Sequence, residues 1–135
     1  MKPTSPDDLP LKAAPKRWPA TVLSLLVLLA LLVGLLSPPN VVYRLAGGRV
    51  FSQLEHDVAH VALFGCLALC LSWAGVRPRN VLVTALLLGI GTEWTQQFVG
   101  RHSNLEGVVF DLVGAGTGLL CASIIYKLNE YLSGR

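Results

Sequence analysis

The sequence is poor in charged residues. Only 14% of its 135 residues are Asp, Glu, Lys or Arg, whereas 53% are hydrophobic and the mean hydropathy is +0.57. Soluble globular domains carry roughly a quarter charged residues, so this composition excludes an ordinary soluble domain. The apolar residues are also grouped in blocks rather than spread with an amphipathic period. The shortage of charge therefore indicates a membrane protein.

The sequence also lacks the signatures of three other classes of protein. Cys66, Cys70 and Cys121 are an odd number without zinc or disulfide spacing, so we expect them to pack as small apolar residues. No HExxH-like motif occurs, and no Ser or Cys stands beside a base as a nucleophile, so nothing diagnostic of an enzyme is present. The net charge of +3 comes from loops and tails rather than a basic stripe, which predicts no nucleic-acid partner.

Four apolar stretches fill most of the chain. Each is close to the about 20 residues that a helix needs to cross the hydrocarbon core of a bilayer. They cover residues 18–36, 57–73, 81–98 and 107–126. We predict an all-α, polytopic four-helix bundle in the lipid bilayer, formed by residues 18–135 as one domain. Residues 1–17 contain four prolines and mixed charges, which predicts a disordered tail.

The distribution of positive charge predicts the orientation. With a cytoplasmic N-terminus, eight Lys and Arg residues fall on the inner side, and three, Arg44, Arg49 and Arg101, fall on the outer side. Both termini and the tail are then cytoplasmic. A secretory signal is the alternative for the first stretch, but that stretch ends in Ser37-Pro38-Pro39 without a cleavage pattern. We interpret it as an uncleaved anchor.

Polar side chains interrupt the apolar stretches at the ends that this orientation places outside. Asp57 and His60 open the second stretch, Glu93 and Gln96 lie near the end of the third, and Asp111 lies near the start of the fourth. A charged side chain at the centre of a membrane helix costs about 2.5 to 3.5 kcal/mol on the insertion scale, so we expect these groups to face protein. The sequence thus predicts an outward-facing polar pocket.

The carboxylates of Glu93 and Asp111 cannot both stay charged in a medium of low dielectric constant without compensation. Three arrangements would supply it: a shared proton, pairing with Arg101 or a protonated His60, or a divalent metal ion held by His60, Glu93 and Asp111. A structural alternative stays open, in which Asp57 caps its helix and the other polar side chains only form interhelical hydrogen bonds.

Small residues share one face of the last stretch with one acid. At positions i, i+4, i+7 and i+11 stand Gly107, Asp111, Gly114 and Gly118. The pair Gly114-x-x-x-Gly118 predicts close approach of another helix, and spare glycine faces leave a homodimer open. Before this stretch, Ser103-x-x-Glu106 has the spacing of a capping box.

Several short motifs together resemble the VanZ-like family of bacterial integral membrane proteins over residues 36–125. They are Asp57-x-x-His60, Glu93-x-x-Gln96, Phe98-Val99-Gly100-Arg101 and Asp111-Leu112-Val113-Gly114. The resemblance implies a multi-pass protein of the bacterial cytoplasmic membrane, in which Asp57, His60, Glu93, Gln96 and Arg101 are hallmark positions. It also implies an acid and an amide four residues apart in the last span. Gly107 and Asp111 stand there instead, so the carboxylate lies one turn later.

The family takes its name from a protein associated with resistance to the glycopeptide teicoplanin. One hypothesis is therefore a protein that binds or protects an envelope component, such as a lipid headgroup, a lipid-linked wall or polysaccharide intermediate, or a membrane protein partner. Arg101 would then meet a phosphate or carboxylate. The alternative is a membrane-embedded, metal-dependent hydrolase or transferase acting on a lipid-linked phosphate. Ion transport is disfavoured because the cytoplasmic halves of the stretches lack acidic and basic residues, and a purely structural role is a further alternative.

Overall fold

The computed structural model describes residues 18–50, 52–99 and 105–134, and every regular element within these ranges is a helix. The helices are α1 (Trp18–Leu36), α2 (Pro39–Leu45), α3 (Gln53–Trp73), α4 (Pro78–Gln96) and α5 (Leu105–Leu132), with one turn of 3₁₀-helix, Gln97–Val99, after α4. The prediction of an all-α chain is confirmed. The predicted tail of residues 1–17, Arg101 and Ser103 lie outside the described residues.

Among the described residues, three helices are long and apolar enough to cross a membrane. They are α1, α3 and the segment Glu106–Leu132 of α5. The prediction of a membrane protein with transmembrane helices is confirmed to this extent. α4 covers the third predicted stretch and has 19 residues, but it is not among the three. The reason is polar residues at both of its ends: Arg79, Asn80, Glu93 and Gln96.

α3 begins earlier than the apolar pattern predicts, because local capping fixes its N-terminal end. The Ser52 hydroxyl accepts a hydrogen bond from the Glu55 backbone N–H at 3.3 Å, and the Glu55 carboxylate accepts one from the Ser52 backbone N–H at 2.9 Å. This reciprocal pair is a capping box. α3 therefore begins at Gln53 rather than at Asp57, and Asp57 does not cap it.

Most of the remaining boundaries lie within three residues of those predicted, but the end of α5 does not. α1 occupies the predicted residues 18–36, and α4 begins three residues before its predicted start at 81, with Pro78 in the first turn, where its missing N–H costs nothing. α3 ends at a glycine turn: Gly75 adopts a φ of +86°, and the Val76 N–H donates to the Leu71 carbonyl at 3.0 Å. α5 continues to Leu132, six residues beyond its predicted end at 126.

α3 and α5 run parallel and approach each other closely through glycine. A Cβ on Gly114 would lie 2.9 Å from the Cα of Val61, and a Cβ on Gly118 would lie 3.0 Å from the backbone carbon of Gly65. Real Cβ atoms do not approach backbone atoms at such distances, so only glycine permits this contact. The two backbones pass each other at these points, which fixes the register of α5 along α3.

A small apolar core joins α1, α3, α4 and α5, while most large apolar side chains lie on the outer surface. The core consists of Leu31, Leu35, Phe64, Leu67, Ala68, Val81, Ala85 and Ala115. The exposed group includes Leu25, Leu29, Leu87, Ile90, Val109, Val113, Leu120 and Ile124. Water-soluble monomers rarely expose so much contiguous apolar surface, whereas this surface suits acyl chains.

Candidate functional site

Four polar side chains are buried together toward one end of the protein. We call them the polar cluster: His60 on α3, Glu93 and Gln96 on α4, and Asp111 on α5. His60 and Asp111 are 0% exposed, Gln96 1% and Glu93 6%. This end holds the C-terminal ends of α1 and α4 and the N-terminal ends of α3 and α5, because Gln96 bonds to Leu35 and Asp111 to His60.

The centre of the polar cluster is a pair formed by His60 and Asp111. The Nδ1 atom of His60 lies 2.7 Å from the Oδ1 atom of Asp111, and both side chains are fully buried. With Asp111 ionised, the Nδ1–H of His60 donates to the carboxylate, which fixes the orientation of the imidazole. The Phe64 ring lies parallel to the imidazole at a centroid distance of 6.5 Å, and the His56 ring lies at 4.6 Å.

Within the part of the chain that the structure describes, each member of this pair keeps one polar atom without a hydrogen-bond partner. These atoms are Nε2 of His60 and Oδ2 of Asp111. Proteins leave few buried polar atoms unpaired, because each costs about 1 to 3 kcal/mol, and such atoms are often found at functional sites. An imidazole held by a carboxylate at Nδ1 can exchange a proton or a hydrogen bond through Nε2.

Glycines on the facing helix make room for both buried acids. The Oδ2 atom of Asp111 lies 2.7 Å from where a Cβ on Gly89 would stand, and the Glu93 carboxylate occupies the space that a Cβ on Gly107 would take. Gly89 and Glu93 are four residues apart on α4, as are Gly107 and Asp111 on α5. The two helices are therefore antiparallel, and the acids lie one helical turn apart along their interface.

Gln96 connects this cluster to α1. Its Nε2 atom donates to the backbone carbonyl of Leu35 at 3.1 Å. Leu35 lies in the last turn of α1, where carbonyl groups have no partner within their own helix. The amide thus satisfies a helix end and holds the end of α4 beside that of α1. Thr92, also buried on α4, donates to the carbonyl of Gly89 in its own helix at 3.0 Å.

The other predicted site residues lie outside the polar cluster or outside the described residues. Asp57 is partly exposed and accepts its hydrogen bond from Gln53 of the same helix, at 2.8 Å, rather than from another helix. Arg101 lies outside the described residues. Gly114 and Gly118 face the backbone of α3, whereas Gly107 faces the Glu93 carboxylate. The glycine face therefore serves two different neighbours.

Two features of this region were not anticipated from the sequence. One is the Leu35 carbonyl as the partner of Gln96, and the other is Gly65 as the close neighbour of Gly118. A backbone carbonyl leaves no signal in the sequence. Gly65 does leave a signal in the sequence. It lies one turn after Val61 on the same face of α3, and a second small residue, Ala68, follows three positions later.

The side chains that we considered as metal ligands, those of His60, Glu93 and Asp111, were also compared with the structure. His60 and Asp111 bind each other through Nδ1 and Oδ1, so Nε2 and Oδ2 are the atoms of this pair that could coordinate an ion. Within residues 18–50, 52–99 and 105–134, no group of three or more His, Cys, Asp and Glu side chains is placed to hold a metal ion.

In comparisons with known proteins, no family model, curated protein or solved structure matches this chain.

Proposed function

We propose that the protein is a VanZ-like, multi-pass protein of the bacterial cytoplasmic membrane, in which α1, α3, α4 and α5 all span the bilayer. The packing of α4 supports its inclusion, because its buried polar residues Glu93 and Gln96 meet α5 and α1 rather than lipid. The excess of Lys and Arg in the segments at the other end supports cytoplasmic termini. The polar cluster then lies toward the outer side.

Labelling with a membrane-impermeant maleimide tests this orientation. The background is a variant in which Cys66, Cys70 and Cys121 are replaced by alanine, and single cysteines are introduced at the exposed residues Asn40 or Arg79. We expect labelling at position 40 in intact cells and at position 79 only after the cells are broken. The reverse pattern would contradict the orientation.

We further propose that the polar cluster binds the polar group of a cell-envelope component, such as a lipid headgroup or a lipid-linked wall or polysaccharide intermediate. The observation that carries this proposal is the buried His60–Asp111 pair, in which Nε2 and Oδ2 find no hydrogen-bond partner among the described residues. A pair that served stability alone would gain by satisfying both atoms. Arg101, on the segment after α4, is the residue that we propose for an anionic part of the ligand.

A binding role fits the geometry better than the alternative of a metal-dependent hydrolase or transferase. Beyond the 2.7 Å bond between His60 and Asp111, a metal ion would need further ligands, and the described residues bring no group of three or more His, Cys, Asp and Glu side chains together to hold one. A binding role uses that bond, because it orients the imidazole toward a ligand. The family resemblance supports an envelope component as that ligand and links the role to resistance against glycopeptide antibiotics or envelope stress.

Complementation of a strain that lacks the gene tests the role of the cluster. Asp111→Asn keeps the volume of the side chain and one acceptor for His60, but it removes the charge and the second carboxylate oxygen. We expect growth under glycopeptide or other cell-wall stress to fall to the level of the deletion strain, at unchanged abundance in the membrane. Ser24→Ala is the control, because the Ser24 hydroxyl donates to the Ala20 carbonyl of its own helix. Full complementation by Asp111→Asn would reject the proposal.

A further inference from the structure

A groove lies at the end of the protein opposite the polar cluster. It has a volume of about 490 Å³ and runs between the end of α3, the start of α4 and the second half of α5. Trp73 and Pro78 form one wall, and residues from Leu119 to Asn129 of α5 form the other. None of these residues belongs to the polar cluster, so the groove is a separate feature.

The groove changes from apolar to polar along its length. Its inner part is lined by Leu119, Ala122 and Ile125, and its outer part by Lys127 and Asn129. The distance from Leu119 to Asn129 along a helix is about 15 Å, which is half of the about 30 Å hydrocarbon core. The groove therefore extends over about one leaflet of the bilayer, with its polar part at the level of the headgroups.

Two further observations support this placement. Trp73 and Tyr126 lie at the polar end of the groove, and these residue types are enriched where a membrane meets water. The two serines of the lining add little polarity, because the Ser72 hydroxyl donates to the Ala68 carbonyl at 2.7 Å and the Ser123 hydroxyl to Leu119 at 2.9 Å. The inner part can therefore accept an acyl chain.

The charges near the polar end are mainly positive. Arg77 and Arg79 lie at the turn between α3 and α4, and Lys127 lines the groove itself. Among the described residues at this end, Glu130 is the acidic side chain that opposes these three. Basic sites between membrane helices on the cytoplasmic side suit the headgroups of anionic lipids.

We propose that this groove binds one anionic phospholipid of the cytoplasmic leaflet. An acyl chain lies along Leu119, Ala122 and Ile125, and the phosphate meets the ammonium group of Lys127. The leaflet follows from the orientation given under the proposed function, whereas the preference for an anionic headgroup follows from the groove alone. Phosphatidylglycerol is a suitable probe, and the zwitterionic phosphatidylethanolamine is its comparison.

Native mass spectrometry of the purified protein, loaded from an equimolar mixture of the two lipids, tests the charge preference. We expect one phosphatidylglycerol to be retained per chain in preference to phosphatidylethanolamine. Lys127→Gln should lower this preference about fivefold, the effect of one basic residue near an anionic headgroup. Arg79→Gln is the matched control, because Arg79 lies at the same end without lining the groove, and its effect should be smaller.

A second pair of variants tests the acyl-chain site. Ala122→Leu fills the apolar part of the groove and should abolish retention of either lipid, whereas Ala62→Leu, on an exposed position of α3, should not. Thermal unfolding checks that both variants are folded. Equal retention of the two lipids by the wild type, or normal retention by Ala122→Leu, would mean ordinary boundary lipid and overturn the proposal. If the maleimide labelling shows the reverse orientation, the proposed lipid belongs to the outer leaflet, and the rest of this proposal is unchanged.

Discussion

Replacement of Asp111 by alanine is expected to lower the free energy of unfolding by about 1 to 3 kcal/mol, because it leaves the buried Nδ1–H of His60 without its acceptor. The imidazole of His60 would remain 0% exposed and would lose the acceptor of its Nδ1–H. Hydrogen bonds between neutral side chains of membrane helices are worth only about 0.6 kcal/mol on average. A loss well above about 0.6 kcal/mol therefore distinguishes this buried pair from an ordinary interhelical contact.

The measurement is a double-mutant cycle of His60→Ala, Asp111→Ala and the double variant, with unfolding followed in detergent. We expect a coupling energy above about 1.7 kcal/mol, the upper end of values for interhelical hydrogen bonds in a membrane protein. Ser24→Ala serves as the reference, because its hydroxyl is buried but bonds within α1. A coupling energy near 0.6 kcal/mol would show that the pair only fixes helix register.

The sequence was a good guide to the positions of the helices and to the residues that are buried. The first apolar stretch predicts both ends of α1. The i, i+4, i+7 spacing identifies the face of α5 that holds Asp111 and Gly114. These properties depend on local sequence and on helix geometry alone. They can therefore be calculated without knowing how the helices pack.

The choice of partners could not be obtained in this way. Asp111 was expected near Glu93, Arg101 or His60, and the structure selects His60 because the glycine contacts set how far α5 slides along α3. The register of two packed helices is a tertiary property, so residue spacing within one helix leaves it open. The Leu35 carbonyl is likewise a partner that residue spacing does not predict, because it becomes available to Gln96 only where α1 ends.

The start of α3, in contrast, has a signal in the sequence. Ser52-x-x-Glu55 has the same capping-box spacing as Ser103-x-x-Glu106, and this spacing indicates the observed start. The apolar pattern alone predicts the later start at Asp57, which is wrong, because Gln53 and Glu55 are polar. A capping box lies outside the apolar core of a span by its nature, and it extends the helix into the interface.

Gly114→Ala is expected to lower the free energy of unfolding by about 2 to 3 kcal/mol, because the added methyl group would overlap backbone atoms of Val61. A backbone carbonyl in a packed helix cannot rotate away as a side chain can, so the two helices must separate. Gly116→Ala is the matched control two residues along α5: a Cβ there meets nothing within 4 Å. Alanine is a better helix former than glycine by about 1 kcal/mol, so the control should be neutral or stabilising.

The same substitution also tests the link between packing and the polar cluster. Val61 follows His60 directly, and Gly114 lies three residues after Asp111, so separation at this point must lengthen the 2.7 Å bond of the pair. In the Gly114→Ala background, we expect the coupling energy between His60 and Asp111 to fall by at least half. An unchanged coupling energy would mean that the pair keeps its geometry without the close glycine contact. In that case the register of α3 and α5 would be set by the pair itself rather than by Gly114.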